Sequence, residues 1–251
     1  MMKSEMPFVK TEFSAPALRR LLPSVFLTAA IFSTQVIAHE GDDPVLAKVM
    51  IDQFEWRAAD EADLYVLEAD AWIGKDLHKF WLKTDIEYHE GMIEEAELQA
   101  LYSRAISPYW DLQIGLRSDL EPTPTRNWGV LGIHGLAPYF FEIDSALFIG
   151  DSGAVAARFT AEYELMLTQR WALSPEVSAT VYGQTNDQTM NGSGLSNVTA
   201  GLRLRYEIRR EFAPYVGVHW SKKYGATADF AQAANEQVSD AQLVAGIHAW
   251  F

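Results

Sequence analysis

Residues 80–89 read FWLKTDIEYH, and their alternation decides the fold. Phe80, Leu82, Ile86 and Tyr88 share one parity; Trp81, Lys83, Asp85, Glu87 and His89 share the other. A period of two marks a strand with two chemically different faces. The same pattern recurs in 110–119, where Trp110, Leu112, Ile114 and Leu116 oppose Asp111, Gln113, Arg117 and Asp119. In 155–168, Val155, Phe159 and Leu165 oppose Arg158, Glu162 and Glu164. In 197–208, Val198, Leu202 and Leu204 oppose Thr199, Arg203 and Arg205.

Weaker alternation places further strands near 48–57, 65–73, 95–104, 127–136, 139–149, 171–184, 212–222 and 241–251, which makes twelve. An even count lets both ends lie on one side of a membrane. Strands of about ten residues are long enough to cross a bilayer at a tilt, whereas strands of soluble sandwiches more often run to about five or six.

Aromatics sort to the strand ends. Phe80, Tyr102, Trp110, Tyr139, Trp171 and Phe251 fall on the apolar face at one set of ends; Trp56, Tyr88, Trp128 and Trp220 fall on it at the other. Two such belts suit a wall that meets lipid headgroups at both interfaces. Connections alternate as well: 106–109, 136–138, 168–170 and 209–214 are short, while 118–126, 185–196 and 224–240 are longer and more polar. Short periplasmic turns and longer outer loops are the barrel rule, and closure leaves no unpaired edge in lipid. The expected fold is all-β: a transmembrane antiparallel up-and-down β-barrel of about 12 strands, over residues 48–251.

The chain before the barrel reads differently. Lys3, Lys10, Arg19 and Arg20 precede an uncharged stretch, 21–38, that ends in Val36-Ile37-Ala38. This predicts a signal peptide over 1–38, cleaved before His39, and a short periplasmic lead-in over 39–47. A retained anchor is the alternative, disfavoured by the short span and by Pro23. Mean hydropathy is −0.08, too polar for a helical membrane protein. The net charge of −14 would become −16 after cleavage, which argues against nucleic-acid binding and for attraction of cations. There is no cysteine, so disulfides and thiolate metal sites are excluded.

If the apolar face meets lipid, the charged face lines the lumen, and its excess is acidic. It would form either carboxylate–arginine pairs that plug a narrow barrel or a lumen that attracts cations. Candidate metal ligands are His89 with Asp85 and Glu87 on one inward row, and His219 and His248 on neighbouring strands. To these we add His39 near the expected new N-terminus and Met50 as a soft thioether. A lone barrel histidine is more often a hydrogen-bonding wall residue. For a lipid-facing hydrolase, His134 and Ser145 both fall on apolar-face positions. The turn at 136–138 sets residue 134 opposite about residue 140, leaving Ser145 roughly 15 Å away at the strand rise. There is no GxSxG sequence, so no enzyme is expected.

Several stretches, in order along the chain, resemble the copper resistance protein B family of outer-membrane proteins. They are VMIDQFEWR (49–57), AELQALYSRAISPYWDLQIGLRSD (96–119), GLAPYFFEID (135–144), LTQRWALSPE (167–176) and GLRLRYEIRREFAPYVGVHW (201–220), with the acidic strand of 80–90. The resemblance implies copper tolerance, an outer-membrane location among lipid, copper ions as ligand, and partners among periplasmic copper-handling proteins. Some members carry a Met- and His-rich segment ahead of the barrel; here the lead-in offers only His39 and Met50. The barrel itself, or a partner, is therefore expected to handle the ion. The alternatives are a plugged barrel that docks periplasmic partners, and a small general porin.

Overall fold

A computed structural model describes residues 43–58, 63–151 and 153–251. The expected signal peptide, His39 and the first part of the lead-in lie outside the described residues. In chain order the elements are β1 (Leu46–Ala58), β2 (Leu64–Gly74), β3 (His78–His89), β4 (Met92–Ser107), β5 (Trp110–Glu121), β6 (Arg126–Ala137), β7 (Phe141–Gly150), β8 (Val155–Glu162), β9 (Leu165–Met166), β10 (Trp171–Tyr182), β11 (Gly194–Tyr206), β12 (Phe212–Lys223), α1 (Gly225–Ala233) and β13 (Ser239–Trp250).

Every pairing is antiparallel between sequence neighbours, and β13 pairs back onto β1 to close the sheet. The two short segments β8 and β9 both pair with β10 and form one wall interrupted at Tyr163–Glu164. The result is a closed twelve-strand barrel. No helix among the described residues is long and apolar enough to cross a membrane; the strands do the crossing. Most run to twelve residues or more. At about 3.3 Å per residue and a tilt of about 40°, such a strand rises about 30 Å, the depth of the hydrocarbon layer.

The outer face is mostly apolar, with Leu116, Val216 and Leu243 well exposed. Aromatics gather at its short-turn edge, where Tyr139 and Phe251 stand out and Trp171 packs on Tyr206 at 4.8 Å. His78 and Tyr102 share a 2.5 Å hydrogen bond there, so both polar atoms are satisfied near the interface. Amphipathic rings favour this depth.

One strand departs from the expected facing. On β6, Trp128 is 5 % exposed and packs inside the lumen with Trp81, Leu101, Val130, Phe148 and Ala156. Leu131 and Ile133 face outward instead. Trp128 therefore does not belong to the outer belt, and His134 faces the lumen. The physical reason is that both parities of β6 are apolar, so alternation carries no information there. His134 pairs with Asp144, and Ser145 pairs with Ile133 on the opposite face. The imidazole and that hydroxyl point to opposite sides of the wall, which replaces distance as the reason they form no dyad.

A bulge in β1 also changes the inner face. Its register slips between Ile51 and Gln53 against β2, and between Ile51 and Phe54 against β13. Val49 lies outward before the bulge, and Phe54 and Trp56 after it. Asp52 and Gln53 therefore both contribute to the lumen lining.

Candidate functional site

The register sets carboxylates side by side. Glu68 on β2 lies opposite Asp85 on β3, Asp85 opposite Glu97 on β4, and Glu97 opposite Asp119 on β5. A second row runs Glu142, Glu162 and Glu176 across β7, β8 and β10. Like charges directly opposite one another destabilise a sheet. Such rows persist where cations, fixed or bound, lie among them.

Part of the charge is met by arginine. Glu97 accepts from Arg158 at 2.9 and 3.2 Å and pairs with Arg117 at 2.8 Å. Arg117 Nε donates to Asp119 at 2.6 Å, and Asp119 also accepts from Trp128 Nε1 and pairs with Arg126. Arg117 lies over the Phe148 ring at 4.6 Å. On the other wall Arg203 reaches Glu55 at 2.8 Å, Glu176 at 2.6 Å and Gln53 at 2.8 Å, and Arg57 donates to Glu55 at 2.7 Å. These networks are buried. Within them Arg158–Glu97 and Arg203–Glu55 join non-adjacent strands and tie separate parts of the wall together across the lumen.

The cover continues toward the long loops. Arg126 Nη1 donates to Thr189 Oγ1 at 3.3 Å, which carries the β10–β11 loop over to β6. In that loop Gly192 N donates to Thr227 Oγ1 of α1 at 2.7 Å. A Cβ at Gly192 would stand 2.4 Å from the backbone nitrogen of Thr227, so only glycine permits this approach.

On the other side of the networks the lumen holds a cavity of about 550 Å³. Phe140 of the β6–β7 turn and Trp250 at the end of β13 line it, so it reaches the short-turn mouth. Nine carboxylates line it against five Lys and Arg side chains. Glu68, Asp70 and Glu162 form no ion pair among the described residues. The excess is acidic, and enclosure by low-dielectric walls strengthens its pull on a cation.

The predicted ligands are not gathered at one point. His89 ends β3 at the long-loop side and pairs with Glu94 at 2.9 Å. Asp85 and Glu87 precede it on the inward parity, and Glu87 stands 3.8 Å from Arg57. His219 faces inward on β12, opposite Gln242. His248 lies opposite Ala213, six positions along β12 and so about 20 Å away. His248 lines the cavity with Nδ1 3.3 Å from the backbone oxygen of Asp52 and 4.0 Å from its carboxylate, and Met50 lines it too. His39 lies outside the described residues. Among the described residues no three His, Asp or Glu side chains already surround a metal-sized point.

Sequence reasoning missed His134. It lines the cavity, with Nδ1 at 3.5 Å from Asp144 and Nε2 at 3.7 Å from Glu142, and its ring lies 5.5 Å from that of Trp81. Lys83 reaches across from β3 to the same oxygen of Asp144. The available signal was the polarity of His134 within an otherwise apolar strand.

The fold is shared with solved porins. The NanC porin matches with a TM-score of 0.54 at 10 % identity, over 81 % of this chain and 99 % of that one. The KdgM porin gives 0.51 at 10 % identity, over 82 % and 99 %. Together with the closed twelve-strand wall, this shows a porin-like antiparallel barrel fold. Sequence similarity is more specific. Copper resistance protein B homolog of Pseudomonas syringae pv. tomato is 39 % identical over 223 residues, covering 89 % of this chain and 76 % of that relative. Copper resistance protein B of Escherichia coli is 40 % identical over 210 residues, covering 84 % and 71 %. The model of the family "Copper resistance protein B precursor (CopB)" matches residues 45–251, the whole wall of the barrel, and the chain belongs to that family.

Proposed function

We propose that this outer-membrane barrel serves copper resistance by taking copper ions into its acidic lumen from the periplasmic mouth. The observation that carries the reading is the cavity lined by nine carboxylates and five fixed cations, which opens among the short turns. Copper is the cargo. Carboxylates with scattered His and Met hold it weakly enough to be released, as passage requires. Met50 and His248 line the same cavity and are proposed ligands there, whereas Asp85, Glu87, His89 and His219 would act nearer the outer side. No catalytic step is part of the reading.

The test is copper uptake by proteoliposomes carrying the full chain and an internal copper-quenched dye. Saturable uptake is expected, reduced several-fold in a Glu68→Gln, Asp70→Asn, Glu162→Gln variant. Uptake that is linear in concentration and indifferent to these substitutions would sink the reading and favour a small general porin.

A second reading is favoured by the buried Glu97–Arg117–Arg158 network, which fills the mid-lumen. In it the barrel conducts nothing and docks periplasmic copper-handling proteins at its short-turn rim. Saturable copper binding without any uptake by well-folded protein would select this alternative.

A further inference from the structure

The lumen holds a cluster in which a lysine and a histidine converge on one carboxylate oxygen. The Lys83 ammonium and His134 Nδ1 both approach the same atom, Asp144 Oδ2. Lys83 comes from β3, whereas His134 and Asp144 face one another across β6 and β7. Asp70 lies directly opposite Lys83 on β2. Glu142 stands 3.7 Å from the other ring nitrogen of His134. His134 Nδ1 is shielded from solvent and has no hydrogen-bond partner. Gln113, 2 % exposed and lining the same cavity, also holds its amide nitrogen without a partner.

Resting on the copper reading above, we propose that His134 Nδ1 and Asp144 form a divalent-cation site in which Lys83 is a tethered placeholder. The chemistry follows from the two ring nitrogens. A proton on Nε2 faces Glu142, which orients the ring and makes the imidazole more basic. That leaves the Nδ1 lone pair directed toward Asp144 and the ammonium. An incoming metal ion displaces Lys83 from Asp144 and binds the imidazole nitrogen and the carboxylate oxygen. The freed ammonium then turns to Asp70 on the adjacent strand. Gln113, with its amide turned over, presents a carbonyl oxygen to the same space. Imidazole with hard oxygen donors suits Cu(II), Ni(II) or Zn(II) rather than Cu(I), which prefers thioether and thiolate. Among the described residues no three acidic or histidine side chains already surround a metal-sized point, and the Lys83 ammonium stands against Asp144 Oδ2.

The experiment uses the full chain in detergent with Cu(II) chloride, followed by electron paramagnetic resonance and by titration. The first equivalent of Cu(II) should show coupling to one imidazole nitrogen. His134→Gln should abolish that coupling and weaken binding about tenfold or more, whereas Lys83→Met should tighten it about tenfold, since no ion has to be displaced. Tighter binding by Lys83→Met cannot come from misfolding, so that variant keeps the test decisive. Nitrogen coupling that survives His134→Gln and vanishes in His248→Gln would overturn the His134 site and leave copper capture by the lumen intact. Absence of saturable binding in both wild type and Lys83→Met would overturn this site and the copper-binding lumen together.

Discussion

Arg158 on β8 crosses the lumen to Glu97 on β4 and donates to both carboxylate oxygens, at 3.2 and 2.9 Å. The two strands are far apart in the wall, so this contact is a strut rather than a cross-strand pair. Arg158→Met should leave Glu97 held by Arg117 and Gln99 and cost about 2 kcal/mol, the scale of a charge-assisted hydrogen bond. Urea unfolding in lipid vesicles would read the loss. Planar-bilayer recordings should show larger single-channel current than wild type if the strut helps to fill the mid-lumen.

Glu55 is 2 % exposed between Arg57 and Arg203. Glu55→Gln removes the buried carboxylate shared by two guanidinium groups, leaving Arg203 to Glu176 and Arg57 to the more distant Glu87, and should destabilise the barrel by about 3 kcal/mol. Adding Arg203→Met should recover part of that loss, because one of the two cations left facing the neutral amide is then gone. Unfolding midpoints of the single and double variants test this, and a double variant weaker than both singles would refute it.

Leu131 sits at the middle of β6 and faces lipid. Leu131→Lys should cost about 2–4 kcal/mol, the midplane penalty for a charge on the lipid face of a barrel. Gly132→Ser, on the inner parity of the same strand, should cost far less. Equal costs would mean that the facing of β6 is wrong.

Gly192→Ala places a methyl group against the α1 backbone. The barrel should keep its unfolding midpoint while α1 loosens. Proteolysis within residues 224–238 should accelerate about tenfold if the contact is worth about 1.4 kcal/mol.

How much of this was legible depends on how differently a strand's two faces are built. In β3, Lys83, Asp85 and Glu87 alternate with Leu82, Ile86 and Tyr88, and strand and facing could be read at once. In β6, Trp128 and Val130 line an apolar patch inside the lumen while Leu131 and Ile133 meet lipid, so neither parity announced itself. The β1 bulge did leave a trace: Val49 and Ile51 are odd, and the next large apolar pair, Phe54 and Trp56, is even. The pairing of Lys83 with Asp144 was beyond reach. It links strands four walls apart and exists only once the sheet has curled and closed.

That closure gives the β1 bulge a role in assembly. The slip falls at the seam, where the first strand meets both the second and the last. A seam is the final joint a barrel makes, and on a smooth strand it could zip two residues out of step with the same parity still facing in. The extra residue at Asp52 is expected to act as a notch that favours the observed alignment of β13. Deleting Asp52 should give chains that insert but lack the heat-resistant migration of a closed barrel on gels. The same carboxylate that lines the cavity thus also helps the wall find its own end.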